Sequence, residues 1–117
     1  MPISKITECV KFAEEQAEKF GVRAPMVGHM GDGNFHVILP FDPKNKESYK
    51  KIRAFNDTLI KKSLELNGTI TGEHGVGLHK KEYLLEQHPD NIPVMKSIKR
   101  TLDPNNIMNP GKIFDLN

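Results

Sequence analysis

Apolar residues recur at three- and four-residue spacing over residues 3 to 20, where Ile3, Ile6, Val10, Ala13, Ala17 and Phe20 form one stripe. That period predicts an amphipathic helix, with Ser4 as its N-cap, Gly21 as its C-cap and the charges on a solvated face. A second stripe, Tyr49, Ile52, Phe55, Leu59 and Leu66, predicts a long helix over about 46 to 66, closed by Asn67-Gly68 in the left-handed conformation. Between them the period changes. Met26 to Met30 and Phe35 to Leu39 read as strands, and Gly31-Asp32-Gly33-Asn34 reads as the loop of a hairpin. Thr69-Ile70-Thr71 reads as a short third strand. Helices are expected over about 78 to 87 and 91 to 102, the latter capped by Asp90 with Ile92, Met95, Ile98 and Leu102 inward. The proline-rich tail from Asp103 onward is expected to be irregular. The predicted class is α+β: a small antiparallel sheet with helices packed on one face.

If the four-residue loop closes a regular hairpin, Met30 sits opposite Phe35 and His29 opposite His36. Met26, Met30, Phe35, Val37 and Leu39 then share a buried face, and Val27, His29, His36 and Ile38 the other. Two imidazoles on one face can share a divalent ion, and Glu73 from the later stretch would complete a His₂Glu set with an open position. Each has a plainer reading. A strand histidine is more often structural, and Glu73 could cap the next helix. His74, between glycines, suits a general base because imidazole titrates near neutrality; its plain reading is a solvated turn residue. His79 and His88 read as surface residues, and Asp32 as a turn former.

Composition narrows the classes. With 117 residues, 37% hydrophobic and 27% charged, residues 1–117 read as a single globular domain. A net charge of +2 with scattered Lys and Arg argues against nucleic-acid binding. The single Cys9 excludes an internal disulfide and fits a reducing, cytoplasmic setting. No apolar run approaches a membrane span, and the first residues have no secretory h-region. Peripheral membrane association and a homo-oligomer are both compatible with the chain.

Three stretches together resemble the C-terminal lobe of FAD-linked oxidases of the vanillyl-alcohol-oxidase type, in the branch of D-lactate dehydrogenase, glycolate oxidase and D-2-hydroxyglutarate dehydrogenase. They are Gly28-His29-Met30-Gly31-Asp32-Gly33-Asn34-Phe35-His36, then Gly68 to Gly77 with Gly72-Glu73-His74-Gly75, and Leu102-Asp103-Pro104 through Asn109-Pro110-Gly111-Lys112-Ile113-Phe114. The resemblance implies a ferredoxin-like lobe, here partial. It implies that His29, His36 and Glu73 hold a divalent metal, zinc being the expected ion, which binds a small 2-hydroxyacid. It implies that His74 takes the hydroxyl proton while hydride passes to FAD, that Asn34 faces the same pocket, and that Asn109 and Lys112 turn towards the cofactor.

The family's FAD-binding domain has no counterpart in these residues. The chain is therefore expected to need an FAD-binding domain or subunit as partner and to be inactive alone. The competing readings are a non-enzymatic metal- or partner-binding domain, including an inactive relic, and a metal-dependent hydrolase. The hydrolase lacks a further carboxylate to act as base. A large exposed apolar patch would favour a lobe that docks to a partner; a deep closed pocket would favour a hydrolase.

Overall fold

The structure is a computed structural model and describes residues 1–116. It contains four α-helices and one two-stranded antiparallel sheet among the described residues: α1 (Ile3–Phe20), β1 (Met26–Val27), β2 (His36–Val37), α2 (Lys46–Glu65), α3 (Lys81–Gln87) and α4 (Ile92–Leu102). The α+β class expected from the patterning is the class observed. The chain divides into two compact units, Met1–Gly72 and the segment from Glu73 onward.

In the first unit, α1 runs over the residues its stripe predicts, and α2 ends one residue early. The start of α1 differs from expectation. Pro2, not Ser4, stands at its N-cap, and no side chain caps it. A proline is tolerated there because the first helical N–H groups have no intrahelical partner in any case. At the other end Gly21, with φ 61°, lets its own N–H and that of Val22 return to Glu18 and Ala17 carbonyls at 3.0 Å. The start of α2 is capped by Asn45, whose Oδ1 accepts from the N–H groups of Glu47 (3.1 Å) and Ser48 (3.0 Å). Asn67, at φ 57°, turns the chain out of α2.

The core of this unit lies where α1 meets α2. Cys9, Ala13 and Phe55 are buried almost completely, with Ile6, Ile60 and Leu66 beside them. Phe20 meets Phe55 edge to face at 6.3 Å between centroids. Lys62 lies 5.4 Å above the Phe12 ring and reaches Glu8 at 3.2 Å, so its stem covers apolar surface while its ammonium is paired. Ile3, expected inward, is exposed because it sits in the first turn, ahead of the residues that α2 covers.

The hairpin is shorter than predicted and its register is different. Met26 pairs with Val37 and Val27 with His36, so His29 and Met30 are not opposite His36 and Phe35. Beyond Val27 the chain leaves the ladder at Gly28 (φ 149°) and winds through a 3₁₀ turn, Met30–Asp32, closed by Gly33 at φ 76°. Asp32 and Asn34 N–H groups both donate to the His29 carbonyl, at 2.8 and 3.3 Å. That tight turn takes up residues the regular hairpin would have left extended. Met30 consequently projects into solvent instead of joining a buried face. Thr69–Thr71 forms no strand; Thr69 Oγ1 donates to the Thr71 carbonyl at 2.6 Å, giving the backbone a local partner.

In the second unit α3 begins at Lys81 rather than 78, because Gly75 (φ 73°) and Gly77 (φ 56°) hold the preceding chain in turns. Tyr83, Leu84 and Ile92 are buried. Asn91, not Asp90, occupies the α4 N-cap. It is already in the right-handed helical conformation and its side chain makes no cap bond. Of the four α4 residues expected inward, Ile92 is buried and Met95 half-buried, while Ile98 and Leu102 are exposed. The tail carries no helix or strand among its described residues. Asp103 organises its first turn. The buried carboxylate accepts from Ile107 N–H (3.0 Å) and Met108 N–H (2.9 Å) and pairs with Lys99, which also donates to the Met108 carbonyl.

Candidate functional site

The two histidines of the first motif do come together, by a route other than the predicted one. Val27 takes the place directly opposite His36, and His29 lies two residues further along β1's direction. His29 stands beyond the ladder, where Gly28 turns the chain towards the 3₁₀ turn, and its imidazole nevertheless lies beside that of His36. Their ring centroids are 6.2 Å apart with an interplanar angle of 84°. For ring nitrogens bound at about 2.0–2.1 Å, an ion lies about 3.2 Å from each ring centroid, so two rings on one ion stand roughly 5–6.4 Å apart. The observed pair lies at the wide end of that span, about 1 Å beyond the separation of about 5.2 Å that a tetrahedral ion sets. An edge-to-face imidazole contact also accounts for the arrangement without an ion.

Two glycines make this geometry possible. At Gly28 a Cβ would lie 2.6 Å from the Phe35 Cα, on a backbone at φ 149° that other residues avoid. The close approach of these two segments is what narrows the hairpin. At Gly72 a Cβ would lie 2.3 Å from Asn34 Oδ1. The half-buried Asn34 amide thus rests on the chain one peptide before Glu73. Gly28 and Gly72 mark close approach where Gly31, Gly75 and Gly77 stand in open space, and no residue pattern announces that Gly72 and Asn34 are partners.

In the second unit, His74 Nε2 lies 3.8 Å from Glu73 Oε1, and the His74 side chain is 72% exposed. The backbone at Glu73 and His74 forms no strand. His79 lies in the turn before α3, outside the helix predicted to include it, and His88 is at the C-cap of α3. Asn109 and Lys112 form a turn, the Lys112 N–H donating to the Asn109 carbonyl at 3.3 Å, with Asn109 itself at φ 49°. Both line a cavity of about 110 Å³ with Lys99, Asn106 and Gly111. That volume is well below the roughly 300 Å³ at which ligand pockets begin, so a flavin could meet this turn only at its edge.

Asp103 is the residue that sequence reading passed over. The hydrogen bond from Lys99, with the Met108 and Ile107 N–H groups, holds its carboxyl below the usual carboxylate range despite burial, which acts the other way. The signal for it was present, an Asp-Pro pair directly after a helix, where an Asp side chain commonly bonds to backbone further along. In the first unit, burial pushes the Cys9 thiol up, which makes it a packing residue rather than a nucleophile.

By fold and site this is a small α+β lobe that presents paired imidazoles on a glycine-bounded hairpin. The chain belongs to the FAD-linked oxidase family: residues 1–113 match the model of the FAD-linked oxidases' C-terminal domain. Similar proteins include a probable mitochondrial D-lactate dehydrogenase of Danio rerio, 38% identical over 99% of this chain and 24% of that protein. The glycolate oxidase subunit GlcD of Bacillus subtilis is 40% identical over 97% of this chain and 24% of its own length. A D-2-hydroxyglutarate dehydrogenase of Stutzerimonas stutzeri is 46% identical over 74% of this chain and 19% of its own. The chain thus spans about a quarter or less of the relatives it matches. No described helix is long and apolar enough to cross a membrane.

Proposed function

We propose that this chain is the substrate- and metal-binding lobe of a flavin-dependent 2-hydroxyacid dehydrogenase or oxidase of the D-lactate or glycolate type. The observation that carries the reading is the apposition of His29 and His36 at 6.2 Å within a domain of this family. His29, His36 and Glu73 would hold a divalent ion, zinc by the nature of the donors. Gly72 supports the third position, because its contact with Asn34 brings the peptide that precedes Glu73 to the histidine-bearing hairpin. When bound, the metal supplies Lewis-acid polarisation of a 2-hydroxyl group, and the flavin of the partner accepts the hydride.

The chain's own residues would do the rest. His74, solvent-accessible on a glycine-flanked turn, takes the hydroxyl proton, and the Asn34 amide orients the bound acid. Asn109 and Lys112 border the cofactor. The FAD-binding domain or subunit is the expected partner, and the apolar side chains that α4 and the tail leave in solvent are a suitable seat for it. The same exposure weighs against a self-contained hydrolase. The lone cysteine supports a reducing compartment such as the cytoplasm, although several relatives are named as mitochondrial.

Metal analysis of the purified chain tests this. One equivalent of zinc is expected, lost in His29→Ala, His36→Ala and Glu73→Gln and kept in His74→Ala. Equal zinc in all of them would remove the assignment. Turnover of a 2-hydroxyacid is expected only when a flavin-bearing partner is added.

A further inference from the structure

Among the described residues, four that are not glycine have a positive φ, and three of them are asparagines, which tolerate it. The fourth is Ile113, at φ 71°, a conformation that is a rare outlier for a β-branched residue. Across it the Phe114 N–H donates to the Lys112 carbonyl at 2.8 Å, closing a γ-turn of the rare, strained hand. Burial of the side chain does not account for this, since Ile113 is 43% exposed. The backbone bonds do. The Ile113 N–H donates to the Gly77 carbonyl at 2.8 Å. On either side of it, the Lys81 ammonium donates to both Asp115 carboxylate oxygens, at 2.8 and 2.9 Å, and to the Gly111 carbonyl at 3.3 Å. Three alternate residues of the tail, 111, 113 and 115, are thus fastened to the segment 77–81. Gly77 itself is at φ 56°, and a Cβ added there would meet nothing within 4 Å. No neighbouring side chain wedges that turn, so its hydrogen bonds place it.

We propose that residues 111–115 are a strap under tension that sets the turn following Glu73 and His74, with Ile113 as its positioning residue and the Lys81–Asp115 pair as its clasp. Strain of this kind persists only where the surrounding bonds over-determine it. An asparagine or glycine at 113 would make the same two backbone bonds at a smaller penalty, so isoleucine leaves the strap nearer to release than its bonds alone would. Once released, the tail frees the Gly77 carbonyl, and the Gly75–Gly77 turn loosens directly beside the two motif side chains. The bearing on the reaction rests on the roles proposed above for Glu73 and His74. The strap itself rests on the bonds observed.

The test is hydrogen exchange and zinc titration of the ¹⁵N-labelled chain, followed by NMR. Lys81→Met removes the clasp, and protection of the Ile113 amide should fall about fivefold, the range of a surface ion pair. The Gly75 and Gly77 amide signals should move with it while those of α1 and α2 stay. Ile113→Asn relieves the strain, and protection of that amide should rise about fivefold. Ile113→Gly should raise it less, because glycine's freedom in the open form offsets part of the gain. Lys81→Met should still take one equivalent of zinc but bind it about tenfold more weakly, as when a group that orients a ligand is lost. Protection at residue 113 that falls or stays level in both Ile113→Asn and Ile113→Gly overturns the tension. Unmoved Gly75 and Gly77 signals in Lys81→Met overturn the hold on the turn, and unchanged zinc affinity there overturns its bearing on the site. A parent chain that takes up no zinc overturns the metal reading and leaves the strap standing.

Discussion

The two units treat their apolar residues in opposite ways. In the first, the stripes of α1 and α2 meet each other, and Phe55 and Cys9 reach complete burial. In the second, α4 has an apolar stripe of equal regularity, yet its Ile98 and Leu102 are 56% and 76% exposed, followed by Ile107 at 77%. Periodicity states which side of a helix prefers to be covered; it does not state whether anything covers it. The first unit contains its own answer, an antiparallel partner helix. The second holds its structure more by polar bonds, the Asp103 turn and the Lys81 ammonium that reaches Asp115 at 2.8 Å and the Gly111 carbonyl at 3.3 Å.

This contrast is broken most directly at Phe55. Phe55→Ala should cost about 3–5 kcal/mol in urea unfolding, since it leaves a cavity between α1 and α2. A loss under 1 kcal/mol would mean that the first unit is no better packed than the second. The next largest effect is expected at Gly28. Gly28→Ala places a Cβ against the Phe35 backbone on a strained φ, costing about 1–3 kcal/mol for the conformation alone. It should also separate the imidazoles, so zinc uptake should fall along with stability. Normal zinc uptake in Gly28→Ala would show that the hairpin's narrow approach is not what pairs the histidines.

The second unit's polar node responds to acid. The Asp103 carboxyl is depressed in the folded state, so its contribution is complete above the unfolded value of about 3.9 and is lost as pH falls through the lower folded value. Hydrogen exchange at the Ile107 and Met108 amides should accelerate, relative to its intrinsic rate, over that acid range. Asp103→Asn should show the faster exchange already at neutral pH. Unchanged protection in both would place the hold on this loop elsewhere.

What the sequence made legible follows from range. Helices α1 and α2, the Gly21 cap and the Asn67 exit depend on residues within a turn or two, and their signals were local. The histidine pairing was legible as a proximity but not as a register, because His29 reaches His36 from the turn that follows β1 and not from the ladder itself. The 3₁₀ turn at Met30–Asp32 and the end of β1 at Gly28 depend on backbone packing against Phe35, which no alternation pattern contains. Gly72 against Asn34 is a contact across the first unit between residues distant in sequence, invisible to spacing for the same reason. Asp103 was the opposite case, a local Asp-Pro signal left unread.

The smallest expected effect is the most telling for the comparison. Leu102→Ser and Ile98→Ser remove apolar side chains that fit the predicted stripe but stand mostly in water, so each should change unfolding free energy by no more than about 0.5 kcal/mol. The same substitutions should weaken association with a flavin-bearing partner if that partner covers this stripe, by up to the 1.5–3 kcal/mol typical of burying one such side chain. Stability and association therefore separate at these positions, where at Phe55 they would fall together. A loss of 2 kcal/mol or more in the chain alone would show that α4 is already packed, and the difference between the two units would disappear.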